Sequence, residues 1–209
     1  MYNEQRARKR FSPASTYKLP HTLFALDAGV VKNSTEIFKW DGIQRSYSPH
    51  NQDHTLASAM RYSAVWVFDL LARRLGKERA QAYLTRTSYG NENPNTHHGS
   101  YWIDGELAIS TYEQIRFLRQ LNADALPFNK AHQQLLKRII RNKQGADWAL
   151  FAKTGWQGNH GWWIGWVENN AGTVYFAMNI DTPARSKDLF KRKAIVKDIL
   201  RSLDVKFDT

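Results

Sequence analysis

Apolar residues recur at helical spacing along the first two thirds of the chain and then give way to aromatic and β-branched runs. In FSPASTYKLPHTLFALDAGVV, Pro13 and Ser15 open a predicted helix that carries Lys18 one turn in and ends at Gly29. IFKWDG reads as a short extended piece closing in a turn. From about Thr55 to Arg86 the period is helical through LASAMRY, VWVFDLLARRL and RAQAYLTR, with Gly76 separating the last two. SYGNENPNTHHGS is rich in Gly, Asn, Ser and Pro and reads as loop. Ser110 and Glu113 stand at capping-box spacing before the periodic run of STYEQIRFLRQL, and another helix covers roughly Ala131 to Arg141.

WALFAKT, GWWIGWVE and TVYFAMNI follow, separated by turn-rich GWQGNH and NNAG, which predicts an antiparallel meander. A last helix is expected from about Lys187 to Leu203. The order of elements gives an α+β class: a central antiparallel sheet flanked by helices, with a mostly helical subdomain. One domain is expected over 1–209, mainly helical from about 15 to 144, with strands and a C-terminal helix from about 145 to 209.

With 209 residues, 42% of them hydrophobic and eight of them Trp, the chain can bury a substantial core and is not disordered. The net charge of +11 invites anionic partners. The excess is dispersed over ARRLGKER, LKRIIRNK and LFKRKAIVK, each a solvated helix face. No nucleic-acid motif accompanies it, so no nucleic-acid partner is expected. The absence of Cys excludes disulfides and thiolate-bound metals. The pair His97 and His98 lacks the spacing of a helical zinc motif and reads as solvated loop, so no metal is expected. No stretch approaches the roughly 18 apolar residues of a membrane span. MYNEQRARKR is polar and basic with no apolar run behind it, so it does not read as an export signal.

Three short motifs carry candidate chemistry. Ser15 and Lys18 are three apart at a helix start, so both side chains share one face. A serine hydroxyl needs a base to become a nucleophile, and a lysine serves only when burial keeps it neutral. The free N–H groups of the helix start, Ser15 among them, suit an oxyanion. Ser63, in YSAVWV, sits between two helical runs, where it could equally cap a helix starting at Trp66. In AKTGW, Lys153, Thr154 and Gly155 set a cation, a hydroxyl and a bare backbone in line on a strand. The first two could hold a carboxylate, and the glycine lets a planar amide lie along the strand. An amphipathic strand running into a turn would look the same.

S-x-x-K, a middle serine triplet and K-T-G in this order form the signature of penicillin-recognising serine enzymes. With Ser63-Ala64-Val65 as the middle element, the set resembles that of the class D β-lactamases, the oxacillinases, in which S-x-V takes this place. The chain resembles that family almost throughout, including FKWDG, Tyr89 to Asn91, YWIDGELAIS, AKTGW and GWWIGWVE. It is most similar to the narrow-spectrum branch.

The resemblance implies a β-lactamase/transpeptidase-like fold and hydrolysis of penicillin- and oxacillin-type β-lactams through a serine acyl-enzyme, conferring antibiotic resistance. It implies no cofactor beyond the CO2 or bicarbonate that carboxylates Lys18. The carbamate so formed would activate Ser15 and later a water. Tyr17, Val65, Trp102 and Ile103 would line its pocket, with the Trp102 indole N–H as donor. Ser15 and Trp156 N–H groups would hold the oxyanion. Ser63 and Lys153 would relay a proton to the leaving nitrogen, and Thr154 and Arg192 would bind the substrate carboxylate. A periplasmic monomer or homodimer with no membrane partner is expected.

Relatives carry a signal peptide and opening sheet strands before the point matching Met1, so those strands are expected to be missing. The short loop in GWQGNHGWW makes a carbapenem-hydrolysing spectrum unexpected. Two other readings remain open: a penicillin-sensing receptor domain that is acylated without turnover, and an inactive truncated fragment.

Overall fold

The computed structural model describes residues 3–97 and 99–207. The inferences about Met1 and His98 therefore lie outside the described residues. His97 is exposed, with its ring 3.9 Å from Glu106.

Four antiparallel strands form the sheet, in the order β3 (Arg141–Gln144), β4 (Trp148–Gln157), β5 (His160–Asn169) and β6 (Gly172–Asp181). Lys153 pairs with Ile164, Gly155 with Trp162 and Trp156 with Gly161. Side chains alternate between the two faces of a strand. Phe151, Trp162, Ile164 and Trp166 therefore meet the large helical core. Leu150, Ala152, Trp163, Val167 and Phe176 form a second core with Val196 and Leu200 of α8 (Lys191–Ser202). Covered on both sides, β5 is buried from His160 to Val167, which is why its sequence runs apolar instead of alternating.

The first core is built by α2 (Lys18–Asp27), α3 (Leu56–Tyr62), α4 (Val65–Leu75), α5 (Lys77–Arg86), α6 (Thr111–Asn122) and α7 (Lys130–Ile140). Trp66, Val67, Phe68, Leu71 and Leu75 turn one stripe of α4 inward. The Ser110–Glu113 capping box starts α6 as its spacing suggests. The IFKWDG piece contains β1 (Ile37–Phe38), paired with β2 (His54–Thr55).

Several boundaries differ from the sequence expectation. A short helix, α1 (Glu4–Arg8), precedes the site in a stretch read only as polar and basic. Its Arg6 guanidinium bonds Asn179 and Asp181 at the end of β6. Arg141 leaves the helix and begins β3, because the ladder with Phe151 competes with one more helical turn. The last helix starts at Lys191, after a 3-10 turn at Arg185–Asp188, instead of Lys187.

Candidate active site

Ser15 does not sit in an α-helix. Ala14–Tyr17 form a 3-10 turn, and α2 begins at Lys18. Ala14 holds φ at 49°, a left-handed conformation that costs about a kilocalorie or more per mole for a residue with a Cβ. The surrounding contacts impose it. The Ala14 N–H donates to the Trp102 carbonyl at 2.9 Å. Ser12 Oγ donates to the carbonyls of Trp102 and Ile103 at 2.8 and 3.1 Å. The Ser12 carbonyl in turn accepts from Trp162 Nε1 and His160 Nε2, both at 2.9 Å. The segment before Ser15 is thus fastened to the Trp102 loop on one side and to β5 on the other.

Lys18, the first residue of α2, is completely buried, and its Nζ lies 3.0 Å from Ser15 Oγ. Burial pulls its pKa down to about 7, opposed by the Asp69 carboxylate. The Phe68 ring faces Nζ at 5.0 Å. Trp102 stacks on Tyr17 with ring centroids 5.4 Å apart, and the Tyr17 hydroxyl meets that of Tyr101. Trp102 Nε1 is buried with no hydrogen-bond partner among the described residues. Of the expected lining, Tyr17 and Trp102 are buried, whereas Val65 and Ile103 are half-buried. Phe68, His21 and Asp69 also belong here and escaped the sequence reading. Phe68 sits on the buried stripe of α4 and His21 in α2, buried from Lys18 to Leu26, and nothing in the spacing separates a pocket wall from ordinary packing.

Ser63 does not cap the following helix, which starts at Val65 and has no side-chain cap. It ends α3 instead, in the left-handed region at φ 56°. Its Oγ accepts a hydrogen bond from Lys153 Nζ at 2.5 Å. Lys153 also donates to the Thr154 carbonyl at 3.1 Å. Burial, then the Lys18 charge, hold the Lys153 pKa well below the ordinary lysine range.

The pairing with β3 stops at Phe151, and the Ser15 turn lies against the remaining edge of β4. Gly155 is required there for close approach: a Cβ would stand 3.0 Å from the Pro13 carbonyl oxygen and 3.1 Å from Thr16 Cγ2. Turn and strand thereby come together with Ser15 on one and Trp156 on the other. On the opposite sheet face, Arg192 crosses Gly161, where a Cβ would be 2.6 Å from Arg192 Cδ. Its Nη1 donates to the Gly155 carbonyl at 2.6 Å. Thr154 faces that same side, by alternation from Gly155.

Two serine–lysine pairs thus meet beside an open strand edge. Such a set can activate a hydroxyl, accept an acyl group and return a proton to a leaving amine. No group of three or more metal-ligating side chains occurs among the described residues.

The penicillin-binding-protein transpeptidase domain family matches residues 1–201. β-Lactamase OXA-2 of Salmonella typhimurium is 54% identical over 204 residues, covering 98% of this chain and 74% of its own. β-Lactamase OXA-48 of Klebsiella pneumoniae is 41% identical over 203 residues, covering 95% of this chain and 76% of its own. Among solved structures, the class D β-lactamase FUS-1 (OXA-85) of Fusobacterium nucleatum superposes with a TM-score of 0.94 at 36% identity, over 99% of this chain and 87% of that one. The class D enzyme YbXI from Nostoc gives the same TM-score at 34% identity, over 98% and 88%.

Proposed function

We propose that the Ser15–Lys18 and Ser63–Lys153 pairs carry the acyl transfer of this chain, which belongs to the class D β-lactamases. It is a serine hydrolase that opens the β-lactam amide bond, and its biological consequence is antibiotic resistance. The observation that carries the assignment of roles is the completely buried Lys18 amine, 3.0 Å from Ser15 Oγ.

The pocket around Lys18 suits carboxylation by CO2. Reaction with CO2 needs a free amine, and burial brings the Lys18 pKa to about 7, so a large fraction is neutral near neutral pH. The product is an anion, which requires donors in an otherwise apolar site. The unpartnered Trp102 indole N–H is such a donor. When present, the carbamate supplies an anionic base beside Ser15 for acylation and for activating the hydrolytic water.

Ser15 attacks the lactam carbonyl from its strained turn, and the N–H groups of Ser15 and Trp156 receive the oxyanion. Lys153 protonates the departing nitrogen through Ser63, whose Oγ accepts from its Nζ. Carboxylation exchanges the positive charge at Lys18 for a negative one, so Lys153 then holds its proton more tightly. Thr154 and Arg192 bind the substrate carboxylate from the α8 side of β4. Penicillin- and oxacillin-type β-lactams are the proposed substrates, and the periplasm, on family resemblance, the proposed compartment.

Hydrolysis of a chromogenic cephalosporin by the purified chain, with and without added bicarbonate, tests this reading. Turnover that rises with bicarbonate and vanishes in S15A and K18A is expected. An acyl adduct that persists for hours by mass spectrometry would instead identify a penicillin sensor.

A further inference from the structure

His21 follows Lys18 by three residues on α2, so the two side chains share one helix face. It is fully buried, and its neighbours are rings: Tyr17, Phe68 and Trp102, with centroids 5.2, 5.7 and 5.3 Å away. Neither Nδ1 nor Nε2 has a hydrogen-bond partner among the described residues. Burial, and then the Lys18 charge, depress its pKa to about 3, so the imidazole is neutral and carries one N–H and one lone pair.

An aromatic hydrocarbon would fill this space without burying two polar atoms, each of which is costly when unpaired. Packing alone therefore does not account for an imidazole. The Phe68 ring that touches His21 also faces Lys18 Nζ, and Trp102, with its own unpartnered N–H, touches His21 on another side. Two rings with unpartnered nitrogen atoms thus touch each other, and one of them touches the Phe68 ring that faces the buried amine.

We propose that His21 is a positioning residue for the catalytic base, donating its ring N–H to the carboxylated Lys18 side chain as a second donor alongside the Trp102 indole. The inference rests on the carbamate reading of Lys18. With two donors on separate walls, the anion is held in one orientation toward Ser15, and its loss of CO2 is opposed by both bonds. Trp102 alone would leave it free to turn about the indole N–H.

The test uses the full chain with 13C-labelled bicarbonate, the wild type beside H21F and H21N. H21F keeps the ring and the packing without a donor, whereas H21N restores a side-chain N–H. The carbamate carbon is read by 13C NMR as a function of bicarbonate concentration, with thermal unfolding as a check on folding. The expected result is a carbamate signal in the wild type and a half-saturating bicarbonate concentration about 10- to 100-fold higher in H21F, the loss of one bond to a charged group. H21N should return to within a few-fold of the wild type. Equal bicarbonate requirements in wild type and H21F overturn the role of His21, as does an H21N variant no better than a folded H21F. No carbamate signal in the wild type overturns the carbamate reading itself, and the inference with it.

Discussion

Lys153 and Ser63, ninety residues apart in sequence, are joined by a 2.5 Å hydrogen bond between Nζ and Oγ. The contact runs from the helical layer to the sheet, and the lysine it satisfies is buried. S63A removes the acceptor and the proton path together. Acylation should slow by about 10²- to 10⁴-fold, the usual worth of a general acid. Rapid-mixing measurement of the acylation burst reports it, and a burst within a few-fold of wild type would remove Ser63 from the proton path.

Lys18 contributes to stability with a definite pH dependence. Its proton is held less tightly in the folded chain, at about 7, than at the ordinary lysine value of 10.5. Between those two values the unfolded chain binds more protons, so stability rises with pH across that window and is lowest below pH 7. In CO2-free buffer, K18M should be more stable than the wild type at pH 6 by about 5 kcal/mol, with the gap closing toward pH 10. Denaturant unfolding at several pH values measures this.

The same amine sets the pH at which activity returns. After CO2 is stripped from the protein, the rate of reactivation by bicarbonate, adjusted to hold dissolved CO2 constant, should fall as pH drops through about 7, because only the neutral amine reacts. Initial turnover rates after timed bicarbonate addition give the profile. A pH-independent reactivation rate would contradict a lysine titrating there.

Gly155 holds the strand against the nucleophile turn. In G155V the added side chain meets the Pro13 carbonyl and Thr16 at about 3 Å, and turn and strand must separate. Misplacement of this order costs about 10²-fold in rate. The loss should fall on the acylation rate, with the Tm moving by only a few degrees.

Arg192 offers a separable effect. Its Nη1 is bound to the Gly155 carbonyl, and its side chain crosses Gly161 on the α8 face of the sheet. R192A should raise KM for carboxylate-bearing β-lactams by about 10-fold or more while kcat changes little, as expected for uniform binding. Steady-state kinetics distinguish this from a proton-transfer defect, which would lower kcat.

The identity of the chemistry was legible because it lies in short local motifs. Ser15 and Lys18 share a face through their spacing alone, and Lys153, Thr154 and Gly155 are consecutive on one strand. The meander, the α6 capping box and the extended IFKWDG piece were likewise set by nearest-neighbour rules of turn, cap and period. These features depend on residues a few positions apart, so the sequence by itself determined them.

Everything that depends on what lies across the fold was decided by tertiary structure. Ser63 looked like a helix cap until β4 brought Lys153 to it, and the same strand explains Gly155 by the turn packed on it. The strain at Ala14 follows from bonds to Trp102, about ninety residues away. Phe68 and His21 are buried among ordinary core residues of their helices, so only the Phe68 ring that faces the Lys18 amine, with His21 packed on it, reveals them as pocket walls. Periodicity records which face of an element is buried. It does not record which buried face it meets, and at Lys18 that meeting depresses an amine pKa enough for chemistry near neutral pH.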